Sequence, residues 1–387
     1  MPAIRQFLRD HHGHESDKVA FIELFFDLVF VFAITQLSHS LIGNFSALGA
    51  LQTIMLLLAV WWVWVFTTWV TNWLDPEKIP VRFLLLVMMV LGLILSAALP
   101  QAFADKGLAF AGAYVLMQVG RSVFFLWAVK GHPGMVRNFQ RILVWLSVGG
   151  IFWMTGALQS GSMRMAFWSV ALAIEYVSPS LGFRVPGLGK SSAHEWKVSG
   201  HHIAERCGLF IIIALGESIL VTGATLSDLS WTAPTVTAFV VSVIGSIAMW
   251  WLYFDTASEF GSRRISASEN PGALARLAYT YLHLFLVAGI IVTAAADEFV
   301  LARPSGHSDL KTIVCLLGGA ALYLLGNFLF KRAISGRAPV SHLLGIIVLG
   351  LLAPGAPHLA PWFLSCMVSV VLIALAAWEK QVRCLVD

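Results

Sequence analysis

Long runs of apolar residues follow one another along almost the whole chain, with short polar intervals between them. A helix that crosses a bilayer needs about 20 mostly apolar residues, because about 30 Å of hydrocarbon is crossed at about 1.5 Å per residue. The pattern therefore predicts twelve transmembrane helices. The predicted spans are 20–42, 47–73, 81–100, 107–130, 139–159, 164–184, 201–225, 232–257, 274–296, 311–332, 339–357 and 361–380.

The composition supports this reading. Of the 387 residues, 58% are apolar and only 12% are charged, and the mean hydropathy is +0.80. An ordinary soluble domain carries about 25% charged residues. We therefore predict an all-α polytopic membrane protein embedded in the lipid bilayer, and soluble enzyme folds are excluded. The balance of 25 Lys and Arg against 21 Asp and Glu is too even to indicate a nucleic-acid partner.

The basic residues predict the orientation. With the N-terminus in the cytoplasm, 19 Lys and Arg fall on the cytoplasmic side and four on the outer side, while Arg121 and Arg206 lie within spans. Such an excess is typical of cytoplasmic loops. The first 19 residues are polar and end without a small-residue cleavage motif, so the first span is predicted to act as an uncleaved insertion signal. Both termini are predicted to be cytoplasmic.

The longest inner loop divides the spans into two sets of six. We predict a polar cytoplasmic N-terminus at 1–19, a first six-helix repeat at 20–184, a cytoplasmic linker at 185–200, a second six-helix repeat at 201–380 and a cytoplasmic tail at 381–387. The two sets are weakly similar in sequence, since the segments 23–37 and 205–219 each begin with a glutamate. An even number of spans restores the orientation, so the repeats are predicted to be parallel.

Ionisable groups at membrane depth are costly, and they usually face the bundle interior or a water path. Glu23 and Asp27 share one face in the first turns of the first span. They can be N-terminal acids stabilised by the helix dipole and interfacial water, or a cation or proton site at a cytoplasmic vestibule. Gln36 and His39 continue a polar strip toward the outer side.

His202 and Glu205 have the corresponding position at the start of the seventh span. A neutral histidine bonded to a glutamate is one interpretation, and a proton-sensitive pair is the other, because histidine titrates near physiological pH. Arg206 is a candidate partner for an acid. Two ligands at this spacing are too few to predict a metal site.

Glu217 and Glu175 are the deepest acids. Glu217 lies about 24 Å from the cytoplasmic start of its span by helix rise, with Ser218 beside it, and Glu175 lies near the midplane. Arg121 is an available cation. The two acids belong either to a functional pathway or to buried polar contacts between helices.

Asp75 and Asp255 each follow a Trp-rich stretch at the cytoplasmic end of a span. The simplest interpretation is an aromatic interfacial belt that ends in a solvated acid, and the repetition favours a shared structural or gating role. Asn72 enlarges the polar surface of the second span. His283 is deep enough to face inward, and a hydrogen-bonded core histidine is favoured over a ligand.

Other chemistry has no sequence signal. The four cysteines are far apart and show no metal-ligand spacing, so neither a disulfide framework nor a metal site is predicted. Walker A, GxSxG and HExxH motifs do not occur in the sequence. No cofactor and no oligomeric state are assigned.

The stretches ELFFDLVFVFAITQLSH (23–39) and HIAERCGLFIIIALGESI (202–219) resemble the bacterial low-temperature-requirement protein A family. WWVWVFTTWVTNWLD, WWLYFD and TYLHLFLVAGII are similar to further blocks of that family, and together the blocks cover most of residues 18–335. The resemblance implies a multi-span bacterial inner-membrane protein with a link to growth in the cold. It implies no established substrate or reaction.

Three functions fit these features. The first is a transporter or channel for a small solute or ion, because carboxylates lie on helices of two related halves. The second is a membrane-embedded enzyme that acts on a lipid or lipid-linked substrate, with the carboxylates as acid and base. The third is a sensor or scaffold in which the buried polar groups only set helix pairing. The first is our leading hypothesis.

Overall fold

The structure is a computed structural model that describes residues 7–9, 18–191, 198–255 and 271–384, with side chains described from 272 to 381 in the last range. Parts of the predicted N-terminus, linker and tail (1–6, 10–17, 192–197 and 385–387) lie outside the described residues. Within the described ranges the regular elements are all helical, apart from isolated bridges at Leu8–Leu74 and Val185–Gly189.

The chain divides by packing into two units, with the main boundary between Ile203 and Ala204. The first turn of the seventh helix, including His202, therefore belongs to the first unit. The prediction of two six-helix repeats stays a prediction.

The first unit holds six helices. They are α1 (Phe21–Gly43), α2 (Ala47–Trp73), α3 (Ile79–Ala98), α4 (Gly107–Ala128), α5 (Pro133–Ala157) and α6 (Gly161–Val177). Their starts follow local sequence signals. Ser46 caps α2 by accepting a hydrogen bond from the backbone N–H of Gly49, and prolines occupy the first turns of α3 and α5, where no intrahelical N–H bond is lost.

The second unit holds the other six. They are α7 (Gly200–Asp228), α8 (Ala233–Phe254), α9 (Gly272–Ala302), α10 (Leu310–Ser335), α11 (Val340–Leu352) and α12 (Pro361–Cys384). α9 contains a π-helical segment at Arg276–Leu282. Thr232 and Asp309 cap α8 and α10, and α10 ends at Gly336, whose φ of 71° is readily adopted only by glycine.

Nine helices within the described residues are long and apolar enough to cross a membrane, and α5, α6 and α11 are not among them. α6 and α11 are short. The predicted spans 164–184 and 339–357 were too long, since the helices end at Val177 and Leu352. Pro179 and Pro354 follow these ends, and proline cannot continue the backbone hydrogen bonding of a helix. The count of twelve spans stays a prediction.

α2 is the core of the first unit and packs against α1, α4 and α6. Trp61, Trp62 and Trp64 are all at most 1% exposed, and the Trp62 ring stacks on Tyr176 at 4.1 Å between centroids. Trp69 and Trp73, the tryptophans just before Asp75, are also at most 5% exposed. The predicted interfacial belt was therefore wrong for α2, because these side chains fill the interior. In α8, by contrast, Trp250 and Trp251 are more than two-fifths exposed.

α9 and α10 pack closely in the second unit because glycines face the neighbouring helix. A Cβ atom at Gly289 would lie 2.6 Å from the Tyr323 backbone nitrogen, and one at Gly326 would lie 2.8 Å from that of Leu286. Small residues of this kind let the backbones of membrane helices approach each other.

Candidate functional site

The start of α1 carries a buried ionic cluster. Glu23 is fully buried, and its carboxylate lies 2.7 Å from an Arg9 guanidinium nitrogen. His202 Nε2 lies 3.1 Å from the same carboxylate. Arg9 also donates to the backbone carbonyl oxygens of Thr71 and Lys18. The N-terminal segment is thereby tied to α1 and to the end of α2.

Asn72 sets the orientation of His202. The Asn72 amide donates to the Ser199 carbonyl oxygen at 2.9 Å and accepts from the Ser199 N–H at 3.0 Å, which fixes which end of the amide is the donor. The amide nitrogen also lies 3.2 Å from His202 Nδ1, so Nδ1 is the acceptor. In the neutral ring, Nε2 then carries the proton and donates to Glu23.

Asp27 lies one turn beyond Glu23 and has a different partner. It is fully buried, and its Oδ1 accepts a hydrogen bond of 2.8 Å from Trp64 Nε1. Glu23 and Asp27 thus share a helix face, as expected, but each carboxylate has its own polar contact. The indole N–H compensates part of the cost of burying the second acid.

The other end of α1 opens into a cavity of about 540 Å³ that has both polar and apolar lining residues. Gln36 and His39 line it from α1, and Gln52 and Thr53 line it from α2. Leu99, Pro100, Phe103 and Ala104, which follow α3, contribute an apolar part of the wall. The predicted polar strip of α1 therefore borders open space within the first unit.

Glu175 lies in an enclosed network. It is 1% exposed, and its carboxyl oxygens accept hydrogen bonds from the Tyr114 hydroxyl and, at 3.0 Å, from Trp153 Nε1. Glu175 does not line the cavity described above. In its immediate surroundings it is a satisfied buried carboxyl group.

Arg121 is connected to Glu175 only through intermediates among its described contacts. Its guanidinium donates to the Gln118 side chain, to the Val63 carbonyl oxygen at 3.1 Å and to Thr67 Oγ1 at 3.0 Å. Gln118 in turn donates to the Tyr114 hydroxyl. The sequence suggested Arg121 as a cation near Glu175, and the structure shows a hydrogen-bonded chain between the two instead of a direct ion pair.

The second unit contains the candidates of α7 that follow His202. Glu217 is 4% exposed, Arg206 is fully buried and Glu205 is half-buried. Ser218 is fully buried, and its hydroxyl lies 3.3 Å from Asp297 on α9 and 3.3 Å from Ser246 on α8.

His283 is part of the core of the second unit. Its Nδ1 lies 2.9 Å from the Ala278 carbonyl oxygen and therefore carries the proton, which leaves Nε2 to accept from the Tyr253 hydroxyl at 2.8 Å. The arrangement fits the core-histidine interpretation. Asp75 and Asp255 are half-buried just beyond α2 and α8, and the Lys78 ammonium lies 3.6 Å from Asp75.

Several buried polar residues were not predicted as site candidates from the sequence. Asp297 is 2% exposed, although it lies just beyond the predicted span 274–296, because the helix continues to Ala302 and packing covers this side chain. Arg9 was counted only for topology, as was Lys331, which pairs with Glu379. His342 Nδ1 lies 2.9 Å from Glu379, so a buried ionic cluster joins α10, α11 and α12. No local spacing signals these three, because they come from three different helices.

The long apolar helices and the polar groups buried between them define a multi-pass membrane protein. The family model of the bacterial low temperature requirement A protein (LtrA) matches residues 18–377. The chain therefore belongs to the LtrA family, as the sequence blocks indicated.

The chain is also similar to an uncharacterized protein of Rhizobium meliloti (strain 1021). The two are 40% identical over 381 residues, which cover 96% of this chain and 93% of the relative. No solved structure matches the chain.

Proposed function

We propose that this protein transports or conducts a small polar solute or ion through its first unit, along α1. The observation that carries the proposal is the open cavity at the Gln36–His39 end of α1. Its volume of about 540 Å³ lies in the range of small-molecule sites, which is about 300–1,000 Å³.

The lining favours an uncharged or zwitterionic solute over a bare ion. Gln36, Gln52, Asn44 and Thr53 offer amide and hydroxyl groups that both donate and accept hydrogen bonds. The described lining residues include no Asp, Glu, Lys or Arg. An opposite charge would lower the cost of removing an ion from water, and this lining supplies no Asp, Glu, Lys or Arg, whereas a polar solute needs only hydrogen-bond partners.

α1 closes the route at its other end. Phe30, Ala33 and Ile34 are at most 2% exposed and occupy the interval between Asp27 and the cavity. The distance from Asp27 to Gln36 along the axis is about 13 Å by helix rise. The Glu23–Arg9 pair lies beyond this apolar interval. A cavity open at one end and closed at the other is the geometry of one state of an alternating-access carrier.

The test uses the purified full chain in liposomes, with glycerol, urea and glycine as probes. Swelling is followed by stopped-flow light scattering, and a trapped pH dye reports proton or cation movement. We expect protein-dependent entry of at least one probe and a reduction of about tenfold or more for Gln36→Leu, because leucine removes the amide and fills the opening.

Gln159→Leu is the matched control, since this glutamine is exposed and does not line the cavity. It should retain the wild-type rate. The transport proposal would be wrong if all three probes entered the liposomes at the same rate with and without protein and the pH dye showed no change.

We also propose that the protein resides in the bacterial inner membrane with both termini in the cytoplasm, and that it supports growth in the cold. The excess of basic residues in the predicted inner loops supports the orientation. A C-terminal green fluorescent protein should fluoresce, and a C-terminal alkaline phosphatase should stay inactive. An inactive green fluorescent protein together with an active alkaline phosphatase would overturn the topology.

A deletion strain that grows like its parent in the cold would contradict the physiological role.

A further inference from the structure

The second unit buries a carboxylate among hydroxyl groups. Asp297 on α9 is 2% exposed, and its Oδ2 lies 3.3 Å from Ser218 Oγ on α7. Ser218 Oγ lies 3.3 Å from Ser246 Oγ on α8. Ser242 lies one turn before Ser246 on the same face of α8 and is also buried. Three helices thus bring four oxygen-bearing side chains together.

The separations are long for hydrogen bonds between oxygens. An O–H···O bond is usually about 2.7–2.8 Å long. Two oxygens that coordinate one hard cation at about 2.4 Å, at right angles to each other, are about 3.4 Å apart. The separations of 3.3 Å between Ser218 and its two neighbours are those of long hydrogen bonds, and they are also compatible with shared coordination of one cation.

Ser242 provides an independent indication of a missing ligand. It is 3% exposed, and its Oγ has no hydrogen-bond partner of acceptable geometry. A buried hydroxyl without a partner is costly. A cation held beside Asp297 would coordinate this oxygen and remove the cost.

The charge of the group selects the valence of the ion. Asp297 contributes one negative charge, and the three serines are neutral. A monovalent cation would neutralise the group, whereas a divalent cation would leave a positive charge in apolar surroundings. Hydroxyl and carboxylate oxygens are ligands typical of hard cations.

We propose that Asp297, Ser218, Ser242 and Ser246 form a binding site for one sodium ion. The inference goes beyond the proposed transport, because cation binding can be measured whether or not the protein moves a solute. Failure of the liposome swelling assay would leave the sodium site standing, and failure of sodium binding would leave the solute cavity standing.

The test measures radioactive sodium binding to the purified full chain in lipid nanodiscs, with choline chloride holding the ionic strength constant. We expect saturable binding of about one ion per chain. Asp297→Asn should abolish it, because the amide keeps the shape of the carboxylate but lacks its charge. Ser242→Ala should raise the dissociation constant about tenfold, which corresponds to the loss of one ligand worth about 1.4 kcal/mol.

Thr225→Val is the matched control. Its hydroxyl also lies on α7, but it donates to the Val221 carbonyl oxygen of its own helix, so the variant should bind sodium like the wild type. A symmetric size-exclusion peak and an unchanged circular dichroism spectrum establish that each variant is folded. The assignment is overturned by an absence of saturable binding to the wild type, by wild-type affinity in both site variants, or by potassium competing as strongly as sodium.

Discussion

The His202 imidazole lies 3.1 Å from the Glu23 carboxylate, although 179 residues separate them in the sequence. Arg9 approaches the same carboxylate at 2.7 Å, so the acid is held between a guanidinium and an imidazole within the first unit. The pair of Glu23 and Arg9 is almost completely removed from solvent. Its energetics can therefore be tested by removing one partner or both.

Glu23→Gln should destabilise the protein by about 3 kcal/mol, because Arg9 would keep its charge in a buried position without its carboxylate partner. The measurement is denaturant unfolding in micelles. Arg9→Met in the same background is the informative control. The double variant should lose about 1–3 kcal/mol less than the sum of the single losses, since no unpaired charge remains. Additive losses would show that the contact contributes nothing.

Tyr114→Phe should lower the free energy of unfolding by about 1–3 kcal/mol. Glu175 would lose a hydroxyl donor in an enclosed site, and Gln118 would lose its acceptor. Tyr176→Phe is the matched control. Its hydroxyl donates to the neutral Leu58 carbonyl oxygen, so its loss should be smaller, about 1 kcal/mol.

Flux through the liposome membrane should survive Tyr114→Phe, since neither Tyr114 nor Glu175 lines the cavity. A variant that unfolds normally but has lost flux would place Glu175 in the transport route. Stability loss with retained flux is the outcome expected of a structural network.

Adjacent glycines of α10 offer a direct test of close helix packing. A Cβ at Gly319 would lie 2.6 Å from Thr293 Oγ1, whereas a Cβ at Gly318 would meet nothing within 4 Å. Gly319→Ala should therefore destabilise the protein by about 1–3 kcal/mol through overpacking. Gly318→Ala should be neutral or stabilising by up to about 1 kcal/mol, because alanine favours the helix. Equal effects in unfolding experiments would contradict the α9–α10 packing.

The N-cap of α10 should make stability depend on pH in the acid range. Asp309 Oδ1 accepts from the hydroxyl of Thr312 at 2.6 Å and from its backbone N–H at 3.0 Å. Burial acts to raise the pKa of Asp309, but these hydrogen bonds and nearby cations outweigh it and lower the pKa below the ordinary value of 3.8. The cap therefore contributes stability above the unfolded-state pKa and loses it as the pH falls through the folded-state pKa.

Asp309→Ala should cost about 1 kcal/mol near neutral pH. Asp309→Asn should cost less, because the amide oxygen still accepts the hydrogen bonds. The difference in the free energy of unfolding between the wild type and Asp309→Asn should shrink as the pH is lowered from about 6 to about 2. If this difference in the free energy of unfolding grew as the pH fell, the predicted direction of the pH dependence would be wrong.

The sequence was most informative where a property is local to one helix. The shared face of Glu23 and Asp27 follows from their spacing of four residues, and both are buried as the cost of exposing acids to lipid requires. The caps of α2 and α10 were not predicted above, but they are local in the same sense, because Ser46 and Asp309 directly precede the helices that they cap. These features need only helix geometry, which the sequence contains.

Partners across helices were much harder to predict. His202 was paired with Glu205 by spacing, whereas the structure brings it to Glu23 and Asn72. Trp69 and Trp73 were assigned to an interface, but the rest of the first unit surrounds them. An indole suits both environments, so its position depends on which helices cover α2.

The sequence by itself determined that this is a multi-pass helical membrane protein of the LtrA family, because apolar run length and motif order are one-dimensional properties. Only the tertiary structure decided that Glu175 is enclosed with Tyr114 and Trp153, that Gln36 borders a cavity, and that Asp297 meets serines from two other helices. The physical reason is that every helix here is apolar on most of its surface. Its polar groups show that a partner is needed, and the packing of neighbouring helices selects the partner.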